Sequence, residues 1–411
     1  MSHSLDELMR DSLDHCVKCT ICETYCPVAA ATPLFPGPKY VGPQAERFRG
    51  PGPSPDASLD LCSSCGICTQ VCPQGVKIAE INSQARARLK EDHGVPLRDR
   101  LIARPTLAGR LGTPVAPIAN RVMRNRSARA LTERAIGIHR RAPMPKWAGH
   151  TLHAWARKSG RRRKPEPSRV TRSVVYFHGC GADYYEPDTG RMAVAVLEHN
   201  GREVIVPKQG CCGLPLQSNG IFDDARTYVR RLAGRLAPYA RAGHDIVATS
   251  TSCGLMLKRE AREILGVEDD DLRVVGEHLY DICEYLVMLH ERGELNTEFA
   301  PLDMEVPYHA PCQQRGHGIG TPAMDLMALI PGLRARQVDA VCCGVAGTYG
   351  LKVEKYDISM AVGARVFDQV RASGAELSVC DSETCRWQIA QATDRPSVHP
   401  VALLHRAYRL S

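Results

Sequence analysis

Two short cysteine runs constrain this chain more than any other feature of it. Cys16, Cys19, Cys22 and Cys26 are followed by Pro27, and Cys62, Cys65, Cys68 and Cys72 by Pro73, so both runs read C-x2-C-x2-C-x3-C-P. The chain has 18 cysteines in 411 residues, against an ordinary hydrophobic content of 44% and charged content of 24%, so cysteine usage alone sets it apart. A disulfide framework fits badly. Residues 1–10 (MSHSLDELMR) contain no apolar run of the kind a secretory leader needs. No stretch approaches the roughly 18 apolar residues of a membrane span. A long chain of this kind more often uses cysteine to bind metal, and its length allows two or three domains.

The spacing of the runs has a chemical reading. It is the spacing that holds 4Fe–4S clusters, in which three close thiolates wrap three corners of one cube and the fourth, turned away, reaches the other cube. One cluster is therefore expected on Cys16, Cys19, Cys22 and Cys72, and a second on Cys62, Cys65, Cys68 and Cys26. Zinc also binds C-x2-C pairs, but it needs four ligands and has no use for a third evenly spaced cysteine and a proline in both copies. The 35 residues between the runs are rich in Pro and Gly from position 33 to 55, which predicts an ordered loop. Residues 4–15 and 77–90 are helix-like, so residues 1–95 are expected to form a mostly helical two-cluster ferredoxin-type domain.

From about residue 172 the chain repeats itself. A β-branched and aromatic run, 174–179, ends on Cys180, and a second, 306–311, ends on Cys312. Cys180 precedes Cys211-Cys212-Gly213 by 31 positions and Cys312 precedes Cys342-Cys343-Gly344 by 30. Cys212 precedes Cys253 by 41 and Cys343 precedes Cys385 by 42. Apolar strands at 203–207, 245–248 and 377–379, lying between helix-like stretches, argue for α/β units with ligands at strand ends. Neighbouring cysteines do not readily close a disulfide on each other. With a glycine freeing the backbone beside them, both sulfurs can point at one metal centre. The fold class is thus α+β and multidomain: the helical ferredoxin domain, a connector at 96–170, and two repeated α/β domains at 171–299 and 300–411.

The repeat resembles the cysteine-rich CCG domain of the heterodisulfide reductase family, in which each domain offers Cys, then Cys-Cys-Gly, then C-x2-C. Here the first cysteine of the final pair is replaced twice, by Ser250 and by Ser382. Each copy keeps four thiolates: Cys180, Cys211, Cys212 and Cys253 in the first, and Cys312, Cys342, Cys343 and Cys385 in the second. The resemblance implies one or two further iron–sulfur clusters on them. Cys380 stands either as a replacement ligand or as a buried strand residue, and Cys283 reads as core. End to end, the layout resembles the iron–sulfur subunits of anaerobic glycerol-3-phosphate dehydrogenases. Residues 36–39 (PGPK), 177–180 (FHGC), 342–350 (CCGVAGTYG) and 383–388 (ETCRWQ) agree locally. The resemblance implies a peripheral subunit at the cytoplasmic face of the membrane, taking electrons from a flavin-containing dehydrogenase subunit and passing them to a membrane quinone. A disulfide-reducing subunit and the iron–sulfur subunit of a glycolate or lactate oxidase share parts of this layout.

Between the halves the charge is lopsided. Residues 98–164 hold eighteen Lys and Arg against Asp99 and Glu133, a balance of +16 in a chain whose total is +8. Apolar residues such as Leu101, Leu107, Leu111, Ile118, Val122 and Leu131 are interleaved, and Trp147 and Trp155 lie here too. Basic residues beside apolar anchors and tryptophan suit an anionic membrane surface; an acidic partner and a solvated linker remain the competing readings. Nucleic acid is not expected as a partner, since no recognised module accompanies the charge. No G-x-G-x-x-G follows a strand and no phosphate loop is present, so flavin, nicotinamide and substrate chemistry are expected on another subunit.

Overall fold

Leu5–Asp14 and Ile78–His93 form helices close to the expected bounds. The second carries the N-terminal half. Ile78, Ile81, Ala85 and Leu89 are buried along it, and Gly94 at its end takes the positive φ that stops the helix. The computed structural model describes residues 5–49, 52, 54–165 and 173–411. The connector–repeat boundary at 170/171 lies outside the described residues, as does Ser4 of the expected first helix.

The segment expected to be a loop is partly helical. Tyr40–Gln44 makes a wide π turn that runs into the α-helix Ala45–Phe48. Two features explain what the Pro and Gly content concealed. Gly42 lies so close to Asn82 of the long helix that a Cβ there would meet Asn82 Oδ1 at 2.1 Å. The turn also accepts Pro43 while burying Val41. Tertiary packing thus makes the helix, against local propensity.

Each repeat is a four-stranded parallel sheet. In the first, β1 (Ser173–Phe177), β2 (Glu203–Ile205), β3 (Asp245–Ala248) and β4 (Leu279–Asp281) lie in the order β2-β1-β3-β4. In the second, β5 (Met304–His309), β6 (Leu333–Gln337), β7 (Ser378–Cys380) and β8 (Ser397–Val398) lie in the order β6-β5-β7-β8, the same topology. Helices are interspersed between the strands, as parallel connections require. One core runs through both sheets, joining Val174, Tyr176 and Val247 to Val306, Tyr308 and Val379. In both repeats the strand order reverses beside the first strand, where open α/β sheets bind ligands.

The connector is not a free linker. Lys352 Nζ binds Asp99 Oδ2 at 2.8 Å with both side chains 5% exposed or less. Arg98 donates to both carboxylate oxygens of Glu354 at 2.7 and 2.8 Å. His139 stacks on Tyr356 with ring centroids 3.7 Å apart. These contacts fasten it to the second repeat, and Gly109 fastens it to the first, where a Cβ would meet the Tyr184 ring at 2.3 Å. Removing one partner of such a buried ion pair costs about 3–5 kcal/mol.

Candidate metal centres and the chamber between them

Each N-terminal run holds its thiols by the same backbone device. Lys18 and Thr20 adopt left-handed φ of 60° and 68°, and Ser64 and Gly66 repeat this at 57° and 79°. These are equivalent positions in the two runs. They curl the chain at the same points of both runs, and in the first run Cys16, Cys19 and Cys22 line one space. Cys22 and Cys68 then enter short helices at Ile21–Thr24 and Ile67–Gln70. Cys26 caps the helix Pro27–Ala31, accepting from Ala29 N at 3.5 Å.

Each fourth cysteine lies beside cysteines of the other run. Cys16, Cys19, Cys22 and Cys72 line one small cavity. Burial pushes the Cys22 thiol up to about 11, and its other neighbours include Cys16, Cys72 and Cys19. Burial likewise pushes Cys26 up to about 11, with Cys62 close by. Cys68 is pushed far above the ordinary thiol range, by burial first and then by Cys62, Cys65, Cys26 and Glu80. Burial and like charge keep these thiols protonated in the absence of a cation, and a cationic iron core supplies the positive charge that lets them give up their protons and ligate as thiolates. The donor set therefore fits the 4Fe–4S centres that the spacing implies.

The repeats build a second kind of site at the carboxyl ends of their strands. Cys180 follows β1, Cys211-Cys212 follows β2, and Cys253 lies in the helix Thr251–Leu255 after β3. Gly213 and Gly344 have φ of +88° and +87°. They turn their amides back on Cys211 Sγ at 3.5 Å and Cys342 Sγ at 3.3 Å. Cys212 and Cys253 bring their sulfurs to 3.2 Å without a disulfide between them. Hydrogen bonding from Cys180 holds Cys211 well below its ordinary value, and Cys312 does the same for Cys342. In the second copy Cys343 and Cys385 converge with His309, the three ligand atoms lying within 4.8 Å of one another and all buried.

Both repeat sites open onto one cavity of about 350 Å³, and Cys65 of the second N-terminal set lines it too. Cys65 lies within electrostatic reach of Cys342 and Cys312. Ser250 donates to Glu383 Oε1 at 3.2 Å, so a residue of the second repeat closes over the first site. Ser382 lies 3.4 Å from Thr384 Oγ1. Glu260, on the chamber wall, is pushed up to about 7 by burial and then by Glu80. Cys380 is buried in β7 beside Cys385, and Cys283 is buried beside Asp381.

Sequence reasoning missed three parts of this region: His309, the Glu383 bridge and the contact of Cys65 with the second repeat site. The first left a trace, since the residue three positions before the leading cysteine is Phe177 in one copy and His309 in the other. The other two arise from how the halves dock, which spacing along the chain does not encode.

The basic connector departs from the expected face in its tryptophans. Its tryptophans pack inward. Trp147 Nε1 donates to Ala108 O at 3.0 Å, and Trp155 lies beneath Arg161, whose guanidinium carbon is 4.8 Å from the ring centre. Arg161 and Arg163 are paired with Glu198 and Glu203. The apolar residues named from the sequence are exposed, and with Leu97 they include three pairs one helical turn apart, Leu97 and Leu101, Leu107 and Leu111, and Ile118 and Val122. Arg121, Arg124 and Arg126 are exposed beside the last pair.

Comparison with known proteins identifies the two kinds of domain. Residues 12–76 match the 4Fe–4S dicluster domain family, and residues 174–258 and 306–390 each match the cysteine-rich domain family. The chain carries iron–sulfur clusters on this ground. It is 38% identical over 400 residues to the C subunit of the anaerobic glycerol-3-phosphate dehydrogenase of Escherichia coli K12, covering 96% of this chain and 98% of that protein. It is 29% identical over 236 residues to the B subunit of the fumarate reductase (CoM/CoB) of Methanothermobacter marburgensis, covering 56% of this chain and 44% of that one. It is 27% identical over 246 residues to lactate utilization protein A 1 of Bacillus mycoides, covering 58% of this chain and 96% of that protein.

Proposed function

The chain belongs to the family of anaerobic glycerol-3-phosphate dehydrogenase C subunits, and from that premise we propose that it is the electron-transferring, membrane-associating subunit of such a complex. Its donor is a flavin-containing subunit that oxidises glycerol-3-phosphate, and its acceptor is a membrane quinone. Iron–sulfur clusters supply one-electron carriage; the chain's own residues place, bury and tune them. The ligand sets are Cys16, Cys19, Cys22 and Cys72; Cys62, Cys65, Cys68 and Cys26; Cys180, Cys211, Cys212 and Cys253; and Cys312, Cys342, Cys343 and Cys385. On this reading the domains are 1–95, 96–170, 171–299 and 300–411.

The observation that carries the proposal is the common chamber. A conduit needs its sites contiguous, and Cys65 and both repeat sites line one cavity. The connector supports the membrane part. Three outward apolar pairs flanked by arginines suit the boundary between anionic headgroups and acyl chains, and among the described residues no helix is long and apolar enough to cross a membrane. The placement is peripheral, on the cytoplasmic face. A disulfide-reducing reading also draws on the chamber, but Ser250, bonded to Glu383, stands where that reading needs another thiolate.

The test is reconstitution. The chain alone should leave glycerol-3-phosphate unoxidised. Mixed with the flavoprotein subunit, it should be reduced by glycerol-3-phosphate and reoxidised by a soluble quinone. Reduction without any quinone-dependent reoxidation, together with turnover of a disulfide, would favour the alternative.

A further inference from the structure

The two repeats superimpose in topology and register, and this makes their differences readable residue by residue. In the first sheet Tyr176 pairs with Val247 and Phe177 with Ala248. In the second, Tyr308 pairs with Val379 and His309 with Cys380. The tyrosines are true equivalents: Tyr176 OH meets Thr249 Oγ1 at 2.7 Å, and Tyr308 OH donates to Asp381 Oδ2 at 2.6 Å. The next position along each first strand is therefore Phe177 in one copy and His309 in the other. Its partner across the ladder is Ala248 or Cys380. Phe177 and Ala248 belong to an apolar core. At the same place in the second repeat the chain puts an imidazole and a thiol.

His309 is 1% exposed; no oxygen or nitrogen atom bonds either ring nitrogen, and the polar group it acts on is the Cys385 thiol, which it helps to hold below the ordinary range. The His309 ligand atom lies within 4.8 Å of Cys343 Sγ and Cys385 Sγ, and those two also lie within 4.8 Å of each other. Cys385 further neighbours Cys380. Imidazole nitrogen beside thiolate sulfur at this range is a metal-ligating constellation.

We propose that His309 is a ligand of the second repeat's centre, so that the two repeats hold chemically different centres: thiolate-only in the first, mixed thiolate and imidazole in the second. The proposal rests on the reading that the second repeat carries an iron–sulfur centre. Imidazole is neutral where thiolate is anionic, and replacing thiolate by histidine raises a cluster's potential. Exchanging His309 for a thiolate should therefore lower the potential of the second site.

The experiment uses the full-length chain, reconstituted anaerobically with iron and sulfide and grown with either ordinary or 15N-labelled histidine. The second site's paramagnetic signal is identified by its loss in Cys343→Ser. Pulsed electron paramagnetic resonance should show nitrogen coupling on that signal, altered by the label and absent in His309→Cys, while the iron content of His309→Cys equals wild type. The midpoint potential of that signal should fall in His309→Cys. His309→Phe, which copies the first repeat, should also lose the coupling; if it loses iron as well, the cysteine variant decides. A full iron complement with no nitrogen coupling overturns the ligand assignment and leaves the cluster reading standing. Absence of iron at the site, or stoichiometric zinc in its place, overturns both.

Discussion

Replacing the glycine of each Cys-Cys-Gly by alanine should harm the second site far more than the first. Gly213 and Gly344 have nearly the same φ, +88° and +87°, so the conformational penalty of a left-handed alanine, about 1–2 kcal/mol, is common to both. Their surroundings differ. A Cβ on Gly213 would meet Ala225 O at 3.0 Å, a contact that small shifts relieve. On Gly344 it would meet Ser359 O at 1.9 Å and Gly363 N at 3.1 Å, both backbone atoms. Ser359 is fully buried and its hydroxyl donates to Gly344 O at 2.8 Å, so the wall has nowhere to retreat. Overpacking of this kind adds about 1–3 kcal/mol. If iron leaves by opening of the site, the difference makes release about 5–150 times faster for Gly344→Ala than for Gly213→Ala. The assay follows iron capture by a chromogenic chelator in moderate urea, under argon, for both variants and wild type. Equal rates within a factor of two, or faster release from Gly213→Ala, would refute the packing argument.

Three other outcomes are expected. Cys26→Ser should abolish the paramagnetic signal of the cluster on Cys62, Cys65 and Cys68 and spare that on Cys16, Cys19 and Cys22, as the crossed neighbours of Cys26 and Cys22 require; loss of the opposite signal contradicts the assignment. Binding to anionic vesicles should weaken as salt rises, and more so in Arg121→Gln/Arg124→Gln or Leu111→Ser/Ile118→Ser, whereas Arg161→Gln, already paired with Glu198, should change it little; binding equal on neutral and anionic vesicles argues against a membrane role. Glu260 is held at about 7, above its unfolded value, so its neutral form stabilises the fold fully below about 4.5, and that contribution is lost as pH rises through about 7; Glu260→Gln should flatten the pH dependence of the unfolding free energy in that window by at most about 3 kcal/mol, and an unchanged profile would show the carboxyl is not perturbed.

How much of this was legible in the sequence depends on the range of the information. The cysteine spacings are local, so the proposed ligand sets, Cys26 with the second run and Cys72 with the first, are read from them alone. The repeated topology was legible because apolar strand runs and glycine positions recur at matched offsets, and β3 falls at its expected residues. The helix at 40–48 was not, because Asn82, forty positions away, supplies the surface that folds it. The tryptophans misled for a related reason. Composition placed them among exposed basic residues, whereas Gly112, which admits no Cβ beside the Trp147 ring, draws that ring inward. The joint chamber depends on how Cys65, Glu383 and both repeat sites dock, and no linear pattern records that.

The central claim is that electrons leave the chain through the repeat half. Stopped-flow absorbance, with the flavoprotein subunit, glycerol-3-phosphate and a soluble quinone, separates cluster reduction from cluster reoxidation in wild type, Cys212→Ser and Cys343→Ser. The account predicts that both variants keep N-terminal clusters that glycerol-3-phosphate reduces, and that reoxidation by quinone is lost. Reoxidation at the wild-type rate in both variants would contradict it, because the repeat sites would then lie off the path.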